Sequence, residues 1–119
     1  MRHKSLLIAL AVIATACGPF HRGSRERATV IFTNETLDQA DVYATISAST
    51  IRIGSVFAAR TDTLMVPTSV TDHGGQTSIV ARLLGRSYQP STGPITLRAT
   101  DRIRVRLTSD GRNMFVTPY

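Results

Sequence analysis

The chain has no tryptophan, one cysteine, one lysine and few aromatic residues (6%). Without a second cysteine no intramolecular disulfide can form, so a folded domain must be held by packing alone. Without tryptophan the Cys–Trp–Cys pattern of a true immunoglobulin domain is absent. The longest apolar run, near the N-terminus, is too short for a bilayer, which takes roughly 20 residues. There is no G-x-S-x-G elbow, no P-loop, no G-x-G-x-x-G and no H-E-x-x-H, so the common nucleophilic, nucleotide and zinc-protease chemistries have no signature here. No repeat and no long low-complexity segment breaks the chain into units.

What is present begins with an address. Met1-Arg2-His3-Lys4 is a basic start, Ser5 to Ala14 is mostly apolar, and Ala14-Thr15-Ala16-Cys17 is a run of small residues ending in the lone cysteine. Basic, apolar and small, in that order, is the pattern of a secretory signal. Cys17 has three readings: a lipid attachment site, a residue that merely follows a secretory cleavage site, or a core cysteine. The third fits poorly beside signal-like and linker-like neighbours. The first is preferred over the second because an unpaired thiol is a reactive liability in an exported protein.

Ala14-Thr15-Ala16-Cys17 resembles the lipobox of bacterial lipoproteins, with Ala14 where that family most often carries Leu, Val or Ile. The resemblance implies that Cys17 becomes the lipidated first residue of the mature protein. It also implies a diacylglycerol and usually a further acyl chain, and two or more chains anchor stably. Gly18 follows, where an aspartate would signal retention at the inner membrane. The expected location is therefore exported and lipid-anchored, at the outer membrane facing the periplasm if the source has two membranes.

Three segments are expected: 1–16 as signal peptide, 17–27 as lipidated cysteine and linker, and 28–119 as one domain. Removing 1–16 leaves 103 residues, the size of a single domain. Without Arg2 and Lys4, 12 arginines stand against 8 acids, a formal charge of +4. That balance favours anionic partners such as headgroups or acidic polysaccharide. Nucleic acid is not expected outside the cytoplasm, and no reading motif supports it. Gly18–Arg27 has little to bury and reads as a solvated tether, with Arg22, Arg25 and Arg27 close to the membrane.

From Ala28 onward the pattern is strands. Thr29–Asn34 is β-branched and aromatic. Ala40–Ala48 alternates, with Val42, Ala44, Ile46 and Ala48 on one side. Thr50–Ala58 follows, with Ile51 and Ile53 inward and a bulge or bend expected at Gly54. Thr63–Val66 is short and stops at Pro67. After a turn at His73-Gly74-Gly75, Thr77–Leu84 carries apolar residues at helical spacing but is short and bracketed by glycine, so it reads as a buried strand. Gln89–Pro94 is a loop. Ile95–Arg98 is a brief strand. Arg102–Thr108 and Asn113–Thr117 flank Asp110-Gly111, a signal for a two-residue type I′ hairpin. Pairing Ser109 with Arg112 sets Leu107 opposite Met114 and Val105 opposite Val116. The expected fold is all-β, one antiparallel β-sandwich of about seven or eight short strands with no helix.

The stretches Val30–Asn34, Val42-Tyr43, Arg52–Val56 and Leu64–Pro67 resemble small predicted bacterial lipoproteins with one β-sandwich. The resemblance carries no catalytic residues.

Candidate sites are few. Arg102, Arg104 and Arg106 alternate on one strand and so project from one face, where guanidinium groups grip phosphate or carboxylate. The competing reading is a solvated face with each arginine paired to an acid, which also deters edge pairing. Asp72 and His73 adjoin a glycine turn, but metal needs three or four converging ligands. His21 lies in the tether and Cys17 is consumed by lipid, so no metal and no cofactor is expected. Asp72 fits a turn-capping role. Tyr43 and Tyr88 are candidates to stack on sugar. No base, acid and nucleophile converge, so no enzyme is expected. The expected function is a non-enzymatic envelope lipoprotein with a structural or protein-interaction role. The alternative is a binding module for carbohydrate or anionic polymer that uses the arginine face.

Overall fold

A computed structural model describes residues 27–72 and 74–119. The signal segment, Cys17, His21, Arg22, Arg25 and His73 lie outside the described residues.

Eight strands and one helical turn follow in order: β1 (Thr29–Asn34), β2 (Ala40–Ile46), β3 (Ser49–Val56), β4 (Arg60–Met65), α1 (Thr68–Thr71), β5 (Gln76–Leu83), β6 (Ile95–Thr96), β7 (Arg102–Leu107) and β8 (Met114–Pro118). They form two four-stranded sheets, ordered β4-β1-β7-β8 and β3-β2-β5-β6, packed as a sandwich. The fold class is the one expected. The helical turn at Thr68–Thr71 was not; it follows Pro67 and buries Val70.

Alternation explains the core. In β1, Val30 and Phe32 point inward and are fully buried. In β2, Val42 and Ala44 do the same, and in β5, Thr77, Ile79, Ala81 and Leu83. The segment around Thr77–Leu84 is thus a strand that alternates, rather than one buried on both faces; Leu84 is 75% exposed. Phe32, Ile79, Leu83, Leu97 and Leu107 are the largest side chains fully withdrawn from water. Each such burial contributes about 1.5–3 kcal/mol.

One pair departs from the antiparallel expectation. β1 and β7 run parallel, Thr29 beside Arg102 through Asn34 beside Leu107. Period-2 alternation is the same in either direction, so the sequence pattern is silent on it. β1 is therefore a central strand, with β4 antiparallel on its other side.

The bulge falls where glycine predicts it. Val42 pairs with Gly54 and Tyr43 with Arg52, so Ile53 is the extra residue. A Cβ on Gly54 would stand 2.7 Å from Leu64 Cδ2, so the absent side chain lets the two sheets close there.

The hairpin register is the expected one: Leu107 pairs with Met114 and Val105 with Val116. Val105 and Leu107 are buried, and Met114 and Val116 pack against the core. The turn is not type I′. That geometry needs positive φ at both central residues, and here only Gly111 has it (φ 72°). Instead the Gly111 amide donates to the Thr108 carbonyl (2.9 Å) and the Thr108 amide to Asn113 (3.0 Å), which makes a four-residue loop. Asp110 decides this. Its carboxylate accepts from the Thr108 hydroxyl and from the Arg112 amide (3.0 Å), capping the longer loop.

A buried polar cluster closes one end of the sandwich. Asn34 and Thr36 are fully buried. Asn34 Nδ2 donates to the carbonyls of Asp38 (2.8 Å), Val56 (3.1 Å) and Phe57 (3.2 Å). Its Oδ1 accepts from the Thr36 amide (3.0 Å) and hydroxyl (2.7 Å). Asn34-Glu35-Thr36 has the spacing of an N-glycosylation acceptor, but a residue this enclosed is closed to glycan addition in the folded domain.

Two outcomes are expected. Asn34→Ala strands buried carbonyls and a hydroxyl and should cost about 2–4 kcal/mol in urea unfolding, comparable to Leu107→Ala. A loss under about 0.5 kcal/mol would show the cluster to be dispensable. The second concerns Asp110, whose carboxyl is held below the ordinary range by the Thr108 hydroxyl and then the Arg112 amide. A depressed folded value means the cap contributes above the unfolded value of about 3.9 and is lost as pH falls through the folded one. In an NMR titration the Gly111 and Arg112 amides should report a midpoint below about 3.9; a midpoint at or above it would exclude the cap.

Candidate functional site: an arginine row on one sheet face

Residues of β7 that point away from the core are Arg102, Arg104 and Arg106, and all three are exposed. The flanking strands set their surroundings. On the β1 side the outward neighbours are Thr29, Ile31 and Thr33. Beyond them, on β4, come Met65, Thr63 and Thr61. On the other side, β8 sets Thr117 beside Arg104 and Phe115 beside Arg106. Tyr119 follows at the chain end, its amide bonded to the Arg102 carbonyl (3.3 Å).

None of these outward positions carries an acidic side chain. The arginines are held by rings instead. The Arg102 and Arg104 guanidinium carbons lie 4.5 and 4.7 Å from the centre of the Tyr119 ring, and that of Arg106 lies 5.5 Å from the Phe115 ring. Stacking on the ring face holds a guanidinium without consuming its N–H edge. Only Arg106 reaches an acid among the described residues. Glu35, at the end of β1, is 3.9 Å away, and both partners are exposed. At that distance and exposure the pair is worth little. The reading in which every arginine is paired to an acid therefore does not hold.

The outer face of the second sheet differs. There Asp41 accepts from Ser55 (2.6 Å) and from Arg52 (3.1 Å). The Ser55 hydroxyl, with Gln39 and Arg52, keeps the Asp41 carboxyl below its ordinary range against a modest desolvation. Arg82 stands opposite Asp41 in the next strand. On that face Arg52 meets an acid at 3.1 Å; on the β7 face only Arg106 comes near one, at 3.9 Å.

Two shallow depressions of about 300 Å³ open on the arginine row. One is lined by Thr33, Arg104, Arg106, Phe115 and Thr117. The other, lined by Arg27, Thr29, Thr100 and Arg102, lies where the chain enters the domain.

The remaining candidates are not brought to this place. Tyr43 is half-buried on the opposite face, in a groove with Arg82 and Gln89. Tyr88 is exposed, and its hydroxyl donates to the Arg112 carbonyl (3.4 Å). Asp72 ends the helical turn, its amide bonded to Thr68 (2.8 Å), so the backbone rather than the side chain carries the cap. Among the described residues no three His, Cys, Asp or Glu side chains group to hold a metal ion.

The aromatics that serve the row, Tyr119 and Phe115, escaped the sequence reading. The hairpin register contained the signal: once Leu107 faces Met114, Phe115 must stand beside Arg106. No protein-family model, curated protein or solved structure matches this chain.

Tyr119→Ala should loosen Arg102 and Arg104 together. Arginine Nε–Hε order parameters are expected to fall for that pair and to stay level for Arg106, which rests on Phe115. A uniform response, or none, would deny the shared ring its role.

Proposed function

We propose that this chain is a non-enzymatic lipoprotein of the bacterial cell envelope. In this reading lipid on Cys17 holds it to the membrane, and its β-sandwich binds an anionic polymer, acidic glycan included, through Arg102, Arg104 and Arg106. One observation carries the choice of ligand class: a row of exposed arginines held on aromatic rings in a sheet face without carboxylates. Unpaired guanidinium edges are free for bidentate contact with phosphate or carboxylate. Positioning without acids also leaves a local positive field on a domain that is only mildly basic. The address rests on the N-terminal lipobox resemblance and places the protein outside the cytoplasm, at the outer membrane if the source has two.

A protein-interaction role is the second reading, favoured by a different surface. At the sandwich end away from residue 27, Leu37 is 89% exposed, Leu84 75% and Phe57 59%. Their loops are joined by the Asn34 bonds, by Leu84 to Gln39 (3.2 Å) and by an Arg86–Asp38 pair (3.2 Å). Exposed apolar groups on fixed loops are a feature of protein contacts.

Two measurements test the main reading. Cys17→Ser should abolish incorporation of labelled fatty acid and release the protein from membranes; full retention with label intact would refute the anchor. Changing Arg102, Arg104 and Arg106 together to Ser should remove binding to a soluble polyanion while leaving the unfolding midpoint nearly unchanged. Wild-type binding should weaken steeply with salt, since the Debye length is about 8 Å at physiological ionic strength. Binding that survives the triple change would leave the row a solvated face.

A further inference from the structure

We infer that the anion met by the arginine face is the headgroup layer of the protein's own membrane, so that the β4-β1-β7-β8 sheet lies flat on the leaflet that holds the anchor. The inference rests on the proposed anchor and on the reading of this face as an anion site.

Shape comes first. A linear polyanion needs only the row. The sheet offers more: apolar side chains on both of its edge strands, Met65 on β4 (54% exposed) and Phe115 on β8 (51%), with Tyr119 (61%) following β8. Cations bracketed by apolar and aromatic groups match the interfacial zone of a bilayer, where Tyr sits at headgroup level and arginine stems lie along apolar surface. Threonine fills most of the rest of the face; its outward strand positions carry no acidic side chain, and Glu35 stands only at the row's end beside Arg106.

Position comes second. Arg27, where the domain begins, shares a depression with Arg102. The chain therefore enters the sandwich at one end of the arginine row. Arg27 lies ten positions beyond Cys17; fully extended, that stretch reaches at most about 36 Å. The six residues of β7 span about 20 Å. A domain on so short a leash stays within reach of the leaflet, and its arginine row begins at the tethered end.

Energetics agree. Each arginine near an anionic surface strengthens attachment roughly fivefold. Arg27 with the three of β7 gives on the order of 10²–10³-fold, weak from solution. Tethering converts that contact into an intramolecular one at an effective concentration in the millimolar range, where weak contact is enough to set orientation.

The absence of tryptophan supplies the test. Full-length lipidated protein carrying Thr63→Trp (arginine face) or Thr50→Trp (opposite face) is reconstituted into phosphatidylcholine vesicles with brominated acyl chains, with and without phosphatidylglycerol. The Thr63→Trp reporter should be quenched in the anionic vesicles at low salt, and relieved by high salt, by neutral vesicles or by the triple arginine-to-serine change. The Thr50→Trp reporter should stay unquenched. Equal quenching of the two reporters in anionic vesicles, or none in either, overturns the inference. A second arm offers inorganic polyphosphate to the detergent-solubilised full chain. Salt-sensitive binding without face-specific quenching keeps the anion-site reading and rejects the membrane as its ligand. Failure of both arms rejects both.

Discussion

The side chain of Asn34 ties the two sheets together. It lies at the end of β1 in one sheet and donates to the carbonyls of Val56 and Phe57, at the end of β3 in the other. It also shapes the β1–β2 turn through Thr36 and Asp38. The facing sides of the two sheets meet through apolar contact, which has no direction. An amide with several partners fixes the relative placement of strand ends, because its partners, once dry, have no substitute for it. From that fixed corner β1 runs through the middle of its sheet and supports β7, and β7 carries the arginines. The position of the candidate site thus descends from one buried polar group that never touches a ligand.

The two outer faces of the sandwich show how similar residues do different work. Both present arginine and threonine on pleated sheet. On one, Asp41 gathers Ser55 and Arg52 into a neutralised cluster. On the other, the arginines rest on Tyr119 and Phe115, neighbours that hold guanidinium without cancelling its charge. The difference arises from where acids fall in strands of the same period.

The readable parts of the sequence are those in which two levels of signal agree. The β7–β8 pairing follows from alternation together with Asp110-Gly111, and the register came out right even though Asp110 drew the turn into a longer loop. Arg102, Arg104 and Arg106 were legible because alternation alone sends them to one side. Gly54 was legible as a bulge because its strand otherwise alternates. Asn34 and Thr36 were not legible: Asn34 reads as the last residue of the Thr29–Asn34 strand, nothing in the pattern marks Thr36, and burial is decided by β3 arriving from the other sheet. The parallel β1–β7 pair was hidden because hydrophobic period carries no sign of strand direction. Tyr119 was missed because it lies beyond the alternating run and reaches the row only through the fold.

The place of β1 has a bearing on how the domain is made. Its parallel neighbour begins 73 positions later in the chain, at Arg102 beside Thr29. A central strand whose partner lies that far along the chain cannot complete its ladder early. Such long-range pairing is slow to form, because a large loop must close before any contact rewards it. The first sheet is therefore assembled as a whole or hardly at all, and a chain ending before β7 would leave β1 with one side bare. This connectivity makes β7 the strand that limits closure of the first sheet, so a substitution that weakens β7 also unsettles a strand made 73 positions before it.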